Sequence, residues 1–129
     1  MDNNRIYESG EDYLEAILVI GKDKTYVRAI DIVHHLNYSK PSVSRALAKL
    51  KDQGYIDINN NVITLTESGN KIANMIYERH EFFSKFLVKI GVNASQAAID
   101  ACKMEHAISE ETFHALKVKL NSIMDEKNS

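Results

Sequence analysis

The run Asn37–Pro41 most constrains the fold, because it lies between two helical patterns and marks where the second one begins. The apolar periodicity of residues 27–36 predicts a short helix before it. Ser39 suits the N-cap of the next helix, and Pro41, the only proline, suits its first turn. The order of helix, turn and helix predicts a helix-turn-helix unit.

The helix after this turn is predicted to end before Gly54. Two stretches of alternating residues follow, 55–58 and 62–65, on either side of an Asn-rich turn, and they predict a β-hairpin. A further helix over about Ser9–Lys22 precedes the unit. Together these elements predict a winged helix-turn-helix domain over residues 1–66, whose third helix enters the major groove of DNA.

The formal net charge of −2 hides an uneven distribution of charged residues. The segment Lys40–Gln53 contains four basic residues and one acid, whereas Glu8–Glu15 contains four acids and no base. Because binding uses one face of a protein, the basic helix suits DNA phosphates although the whole chain is slightly acidic. The acidic segment suits cations instead.

Three further helices are predicted over residues 67–129, and the first of them has a broad apolar face. The second begins at Asn93 or Ser95 and ends near Ala107, and Ser109 caps the third. Their apolar surface is more than three helices can easily hide, which predicts a homodimer. The predicted fold class is mainly α, with an N-terminal winged helix-turn-helix followed by an α-helical dimerisation domain.

Three possible metal ligands, Cys102, Glu105 and His106, follow one another at spacings typical of one helix face. Taken singly, a lone cysteine is often a core filler, and a lone histidine is more often a surface or hydrogen-bonded residue. As an enzyme site, Cys102 would be a nucleophile and His106 its base, but no glycine-rich oxyanion loop accompanies them. We therefore expect no enzyme and no small-molecule substrate.

The composition, with 44% hydrophobic and 26% charged residues in a chain of 129, is that of a soluble globular protein. The longest apolar run, Ala16–Ile20, is too short to span a bilayer, and the first residues lack the order of a signal peptide. The single cysteine cannot form an internal disulfide. We expect a cytoplasmic protein without a membrane partner.

Five short motifs, in this order and spacing, make the chain resemble the diphtheria toxin repressor and manganese transport regulator family over nearly its whole length. These motifs are Gly10–Glu15, Ser39–Ser44, Leu65–Gly69, Arg79–Glu81 and the Cys102-x-x-Glu105-His106 set. The resemblance implies a metal-dependent transcription repressor that is dimeric through its second domain and binds palindromic operators when Fe(II) or Mn(II) is loaded. It would control genes of metal uptake or homeostasis. Many relatives add a third, SH3-like domain, which we do not expect here.

The resemblance also implies a set of metal ligands, which is taken over position by position from the family's motifs. The ligands that it implies are Asp12, Glu15, His80, Cys102, Glu105 and His106. Of these, Glu15 would be a direct ligand or would touch only a second ion. Without metal, the three carboxylates would repel one another in a partly desolvated space, so a divalent ion should draw the two modules together.

This chain mixes ligands of two branches of the family. The manganese-sensing branch has a glutamate at the position of Cys102, and the iron-sensing branch has a methionine at the position of Asp12. A thiolate shifts preference from Mn(II) toward Fe(II), Co(II) or Zn(II), so we expect Fe(II), with Mn(II) as the alternative. Ser84 and Ala98 stand where the iron branch has acidic and histidine ligands of an ancillary site. The alternative function is that of a regulator that responds to Zn(II), or to an organic ligand held by an aromatic cluster of residues 82–86.

We expect the recognition helix to contact DNA through its first turns, because these reach base edges first. The predicted contacts are Ser39, Lys40, Pro41, Ser42, Arg45 and Lys49. Arg45 could pair with a guanine, and the lysines, including Lys51, would meet phosphates. His34, His35 and His114 are expected to be surface residues, since no other possible ligand converges on them.

Overall fold

The computed structural model describes the backbone of residues 8–128 and the side chains of residues 10–122. The chain divides into two compact units, Met1–Met75 and Ile76–Ser129, which are treated separately below. No helix among the described residues is long and apolar enough to cross a membrane.

The first unit has the predicted order of three helices and a hairpin, followed by the beginning of a long helix. Its elements are α1 (Glu8–Asp23), α2 (Ala29–Leu36), α3 (Lys40–Asp52), β1 (Ile56–Asn59), β2 (Val62–Leu65) and the start of α4 (Glu67–Lys89). This is the predicted winged helix-turn-helix arrangement within a mainly helical chain, and the fold-class prediction is confirmed.

Capping by short polar side chains fixes the turn between α2 and α3. Asn37 ends α2 in the left-handed conformation with a φ of 59°, which asparagine tolerates better than most residues. Ser39 then caps α3, because its hydroxyl accepts a hydrogen bond from the Ser42 amide at 3.2 Å. Pro41 lies in the first turn of α3, where a missing amide hydrogen costs nothing.

The hairpin turn consists of Asn60 and Asn61, which both have positive φ angles, of 52° and 66°. Asn59 pairs with Val62 on either side of these two residues, as in a two-residue type I′ turn. The two strands are antiparallel, and Ile56 and Ile63 project into the core. The Asn-rich run therefore produces the expected hairpin.

The core of the first unit joins α1, α2, α3 and the hairpin. Leu14, Ile32 and Val43, one from each helix, are fully buried there. Val43, Leu47 and Leu50 are all buried, as the apolar stripe of α3 requires. The opposite face of α3 is therefore left for solvent or a ligand.

The start of α4 packs closely against the residues that precede the hairpin. Thr66 caps it, accepting from the Gly69 amide at 3.2 Å and donating to the Gly54 carbonyl at 2.7 Å. A Cβ atom at Gly69 would lie 2.0 Å from the Tyr55 carbonyl oxygen. Only glycine allows this close approach of helix and backbone.

The second unit consists of the rest of α4, α5 (Ala94–Met104) and α6 (Glu110–Asn128). Asn93 caps α5, accepting from the Ser95 amide at 2.9 Å. The structure corrects the predicted end of α5, because the helix stops at Met104 rather than near Ala107 and Glu105 is its C-cap. His106 consequently lies in the turn that follows the helix.

Aromatic rings form the core of the second unit. Phe82 packs edge-on against Phe83 and Phe113, with ring centroids 5.4 and 5.5 Å apart. Ala101 of α5 completes the buried cluster. These phenylalanines therefore stabilise the helices by packing on one another, which is the core use that competed with an organic-ligand pocket.

Candidate metal centre and nucleic-acid interface

The end of α5 and the turn after it bring three possible ligands together. One ligand atom of each of Cys102, Glu105 and His106 lies within 4.8 Å of those of the other two. Cys102 is exposed in the last turn of α5, whereas Glu105 is fully buried and His106 is 7% exposed. The exposed position of Cys102 argues against a core-filling role.

His80, on α4, brings a second imidazole to Glu105, the residue that it shares with this group. Its Nδ1 lies 2.8 Å from Glu105 Oε2, at hydrogen-bond distance, although the residues are 25 apart in sequence. His106 Nε2 lies 3.5 Å from the other carboxylate oxygen, Oε1. Glu105 is thus placed between two imidazoles. The structure brings together four of the six predicted ligands within the second unit.

One oxygen of Glu105 lacks a hydrogen bond within the part of the chain that the structure describes. Glu105 Oε1 is buried and accepts no hydrogen bond among the described residues. Leaving a buried acceptor without a hydrogen bond costs about 1–3 kcal/mol, and more for a charged group. A thiolate, a carboxylate and an imidazole form a donor set that suits a divalent transition metal. The residues therefore fit a metal ion at this position.

The remaining predicted ligands, Asp12 and Glu15, belong to the first unit. They lie three residues apart on α1, and both are half-buried. The buried residues Leu14 and Ile17 fix the orientation of α1 in the core of that unit. Whether Asp12 and Glu15 bind metal stays a prediction.

Tyr13, next to Asp12, links α1 to the start of α3. Its ring lies 5.8 Å from that of Tyr38, which precedes the N-cap Ser39. Burial raises the pKa of Tyr13, and the neighbouring Tyr38 hydroxyl raises it further. The phenol therefore stays neutral at physiological pH, and the pair forms a contact between α1 and the turn that precedes α3.

The predicted positions of the ancillary ligands offer little for a second ion. Ser84 is half-buried, and its hydroxyl finds no hydrogen-bond partner among the described residues. Ala98 is exposed and has no ligand atom. His34, His35 and His114 are exposed, as expected.

The exposed face of α3 carries a chain of polar side chains that begins at the N-cap. Ser39 Oγ donates to Ser42 Oγ at 2.9 Å, and Arg45 Nη2 lies 3.5 Å from the same Ser42 oxygen. Ser42 is half-buried, and the exposed predicted contacts on this helix are Lys40, Pro41, Arg45 and Lys49. The face has the donors and positive charge that base edges and phosphates require, while its role in binding stays a prediction.

A groove between the start of α2, the far side of α3 and the hairpin was missed from the sequence. Arg28, Lys51 and Asn61 contribute polar side chains to its lining. Lys51 was expected to meet phosphate, but nothing in the local pattern singled out Arg28, the N-cap of α2. Only the fold shows that these residues share one groove.

Comparison with known proteins identifies both halves of the chain. Residues 5–61 match the model of the iron dependent repressor N-terminal DNA binding domain. Residues 66–126 match that of the iron dependent repressor metal binding and dimerisation domain. The two matched domains indicate DNA and a second copy of the chain as partners.

Curated relatives agree with this family. The chain is 34% identical over 121 residues to an uncharacterized HTH-type transcriptional regulator of Methanocaldococcus jannaschii, covering 92% of this chain and 97% of that protein. It is 35% identical over 109 residues to the transcriptional regulator MntR of Escherichia coli, covering 84% of this chain and 70% of that protein.

Solved structures show the same fold. A manganese-dependent transcriptional repressor in complex with manganese matches with a TM-score of 0.79 and 27% identity over 87% of this chain. The chain spans about half of that repressor, 52% of its length. The metal-dependent transcriptional regulator MtsR matches with a TM-score of 0.80 and 25% identity, covering 87% of this chain and 53% of that one. The chain therefore belongs to the DtxR/MntR family of metal-dependent transcriptional repressors, which are not enzymes.

Proposed function

We propose that this protein is a repressor whose operator affinity rises when it binds Fe(II), and that it controls genes of metal uptake or homeostasis. The observation that carries the proposal is the buried Glu105 carboxylate, which lies between two imidazoles and has an oxygen within 4.8 Å of the Cys102 sulfur. A protein that did not bind a cation there would keep a poorly compensated buried charge for no gain. The cytoplasm, where such operators lie, is the proposed location.

The choice of Fe(II) depends on Cys102. A thiolate among harder ligands favours Fe(II) over Mn(II) in the order of divalent-metal affinities. Mn(II) is the second candidate, because the solved relative with a TM-score of 0.79 is described as manganese-dependent and the Escherichia coli relative is named MntR. Zn(II) is the third, since it also accepts thiolate and imidazole ligands.

In the second unit, the protein contributes preformed ligands. His80 Nδ1 approaches Glu105 Oε2 at 2.8 Å and so orients the carboxylate, leaving Oε1 toward His106. Cys102 offers its sulfur from the last turn of α5. A bound divalent cation would compensate the negative charge of the Glu105 carboxylate. Its binding would also release protons from the ligands.

In the first unit, we propose that Asp12 and Glu15 complete the ligand set from α1. The support is the family resemblance, together with their helical spacing of three residues. Any shift of α1 would reach the recognition helix through Tyr13 and Tyr38, whose rings are 5.8 Å apart. Coupling of this kind is typically worth about 1–3 kcal/mol, enough to change operator occupancy severalfold to a hundredfold.

The DNA contacts follow from the exposed face of α3. We propose that Arg45 reads a guanine and that Ser39 and Ser42 contact the adjacent backbone or bases. Lys40 and Lys49 would neutralise phosphates, setting affinity without reading sequence. A homodimer would place two such helices on the half-sites of a palindromic operator. In this proposal residues 1–66 bind DNA and residues 67–129 bind metal and form the dimer.

An anaerobic titration with Fe(II), Mn(II) and Zn(II) tests the proposal, with metal stoichiometry and DNA binding measured on the same samples. The DNA is a duplex selected by the metal-loaded protein from a random-sequence pool. We expect Fe(II) to bind more tightly than Mn(II) and to raise DNA affinity. Equal DNA affinity in chelator and in all three metals would refute the proposed function.

A further inference from the structure

Arg79 is a buried charged residue to which the sequence analysis assigned no role. Its side chain lies on α4 in the second unit and is only 4% exposed. Among the described residues it forms no ion pair with a carboxylate, and its Nε has no hydrogen-bond partner. Because arginine is almost never fully buried without a partner, its other contacts should explain its position.

Those contacts are with the turn that follows α5. Arg79 Nη1 donates to the carbonyl oxygens of Glu105 at 3.1 Å and Ile108 at 2.9 Å. The guanidinium carbon lies 5.2 Å from the centre of the Phe113 ring, within cation–π range. The last carbonyls of a helix lack intrahelical partners and carry partial negative charge, so a buried cation suits them.

The same turn carries two of the candidate metal ligands. Its own backbone makes one closing hydrogen bond, from the Ala107 amide to the Met104 carbonyl at 3.1 Å. Arg79 closes the turn further by joining the carbonyls of its first and last residues, Glu105 and Ile108. Glu105 is thus held at its backbone by Arg79 and at its carboxylate by His80.

We propose that Arg79 is a positioning residue for the metal centre, holding the Glu105–Ile108 turn so that the Glu105 carboxylate and the His106 imidazole face one point. This inference rests on the proposed function as a metal-dependent repressor. The hydrogen bonds of Arg79 to the described residues go to backbone carbonyls of the turn and not to the side-chain ligand atoms. Arg79 acts by fixing the backbone that presents them, as outer-shell groups do around metal sites.

Anaerobic Co(II) binding to the full chain tests this role, because Co(II) absorbs visible light according to its ligand geometry. Arg79→Met keeps a long apolar side chain against Phe113 but removes the charge and the donors. We expect the Kd for Co(II) to rise about 10- to 100-fold, the usual range for an outer-shell change. At saturating Co(II), the ligand-field bands and the thiolate charge-transfer band from Cys102 should also differ from those of the unmodified protein.

Arg79→Lys keeps the charge but not the planar fork of donors, so we expect a smaller increase in Kd. Leu116→Ala is the matched control, since Leu116 packs against the same aromatic core and its apolar side chain donates no hydrogen bond to the turn. It should lower the Tm while leaving Kd within twofold and the bands unchanged. If Arg79→Met does not fold, Arg79→Lys decides.

The inference is wrong if both Arg79 variants that fold bind Co(II) within twofold of the unmodified protein with the same bands. It is also wrong if their Kd changes only as much as that of Leu116→Ala at equal loss of Tm. If the unmodified protein itself binds no Co(II), the proposed function fails first and the inference with it. The unmodified sample therefore separates the two failures.

Discussion

The exposed face of α3 and the turn after α5 place their polar groups in opposite environments. From the N-cap of α3 onward, Ser39, Ser42 and Arg45 are three residues apart and contact one another in a row, with Ser39 and Arg45 exposed and Ser42 half-buried. In the second unit, Glu105 is fully buried and is reached by His80 from 25 residues away. The first arrangement has a low desolvation cost, and it suits a ligand that binds at the surface. The second is stable only if something compensates the buried charge.

This difference assigns a separate task to each region. Solvated donors on a rigid helix can exchange water for base edges and phosphates with little reorganisation. A buried carboxylate with one unsatisfied oxygen gains most from a bound cation. The comparison therefore predicts that substitutions in one region change one binding event directly and the other only through coupling.

The largest effect is expected for Glu105→Gln, which keeps the shape and removes the charge. Metal affinity should fall by about 100-fold or more, beyond the range seen for outer-shell groups. The metal-free protein should become more stable, by about 1 kcal/mol, because a poorly compensated buried charge is gone. Isothermal titration with Mn(II) and chemical denaturation in chelator measure the two effects. Glu110→Gln, an exposed change at the start of α6, is the control: it should leave metal affinity unchanged and, because an acid there favours the helix dipole, should lower stability slightly rather than raise it.

The next effect belongs to the α3 face. Arg45→Ala should weaken binding to the selected DNA by about 1–3 kcal/mol, because a bidentate guanine contact is lost. Lys49→Ala should weaken specific and nonspecific DNA alike and reduce the salt slope by about 1. Fluorescence anisotropy at several salt concentrations distinguishes the effect of Arg45→Ala from that of Lys49→Ala. Equal losses on specific and nonspecific DNA for Arg45→Ala would show that it does not read sequence.

An effect of similar size, but on stability rather than on DNA binding, is expected where α4 meets the residues before the hairpin. Gly69→Ala would place a Cβ 2.0 Å from the Tyr55 carbonyl oxygen, so the backbone must shift. We expect a loss of about 1–3 kcal/mol in the free energy of unfolding, as for overpacking. Gly21→Ala is the control within α1, because its Cβ would meet Val27 at an ordinary 3.8 Å. That change should stabilise the helix by about 0.5–1 kcal/mol.

The smallest effect concerns the start of α2. A hydrogen bond from Lys24 Nζ, at 2.6 Å, and one from the Arg28 amide, at 2.9 Å, lower the pKa of Asp31 below its ordinary 3.8. Since the folded pKa is the lower one, this contribution is complete above pH 3.8 and is lost as the pH falls through the folded value. Because the pair is solvent-exposed, Asp31→Asn should cost less than about 1 kcal/mol at pH 7. Urea denaturation at pH 7 and pH 3 measures this loss of stability. A loss from Asp31→Asn that is equal at both pH values would contradict the predicted pH dependence.

Local chemistry explains why the first unit could be predicted well. Ser39 caps α3 through its own hydroxyl, and Asn60 and Asn61 tolerate the positive φ angles of a tight turn. These effects reach only a few residues along the chain. The apolar stripe of α3 likewise follows from helical periodicity alone, so helix order and hairpin could be read directly from the sequence.

The candidate metal centre required contacts that periodicity cannot supply. The spacing of Cys102, Glu105 and His106 suggested one helix face, yet α5 ends at Met104 and a turn presents the last two. The pairing of His80 with Glu105 came from family resemblance rather than from any local pattern. Arg79 could not be assigned, because its acceptors are carbonyl groups and carbonyl positions have no sequence signature.

The central claim is that metal at the buried centre controls DNA binding by the α3 face. The most direct test is the anisotropy Kd of the full chain for its selected duplex, measured anaerobically with Fe(II), with Mn(II) and with chelator. We expect tighter binding with metal, by severalfold to about a hundredfold, and no such gain in Glu105→Gln. A metal-independent Kd, or a full metal response in Glu105→Gln, would contradict the account.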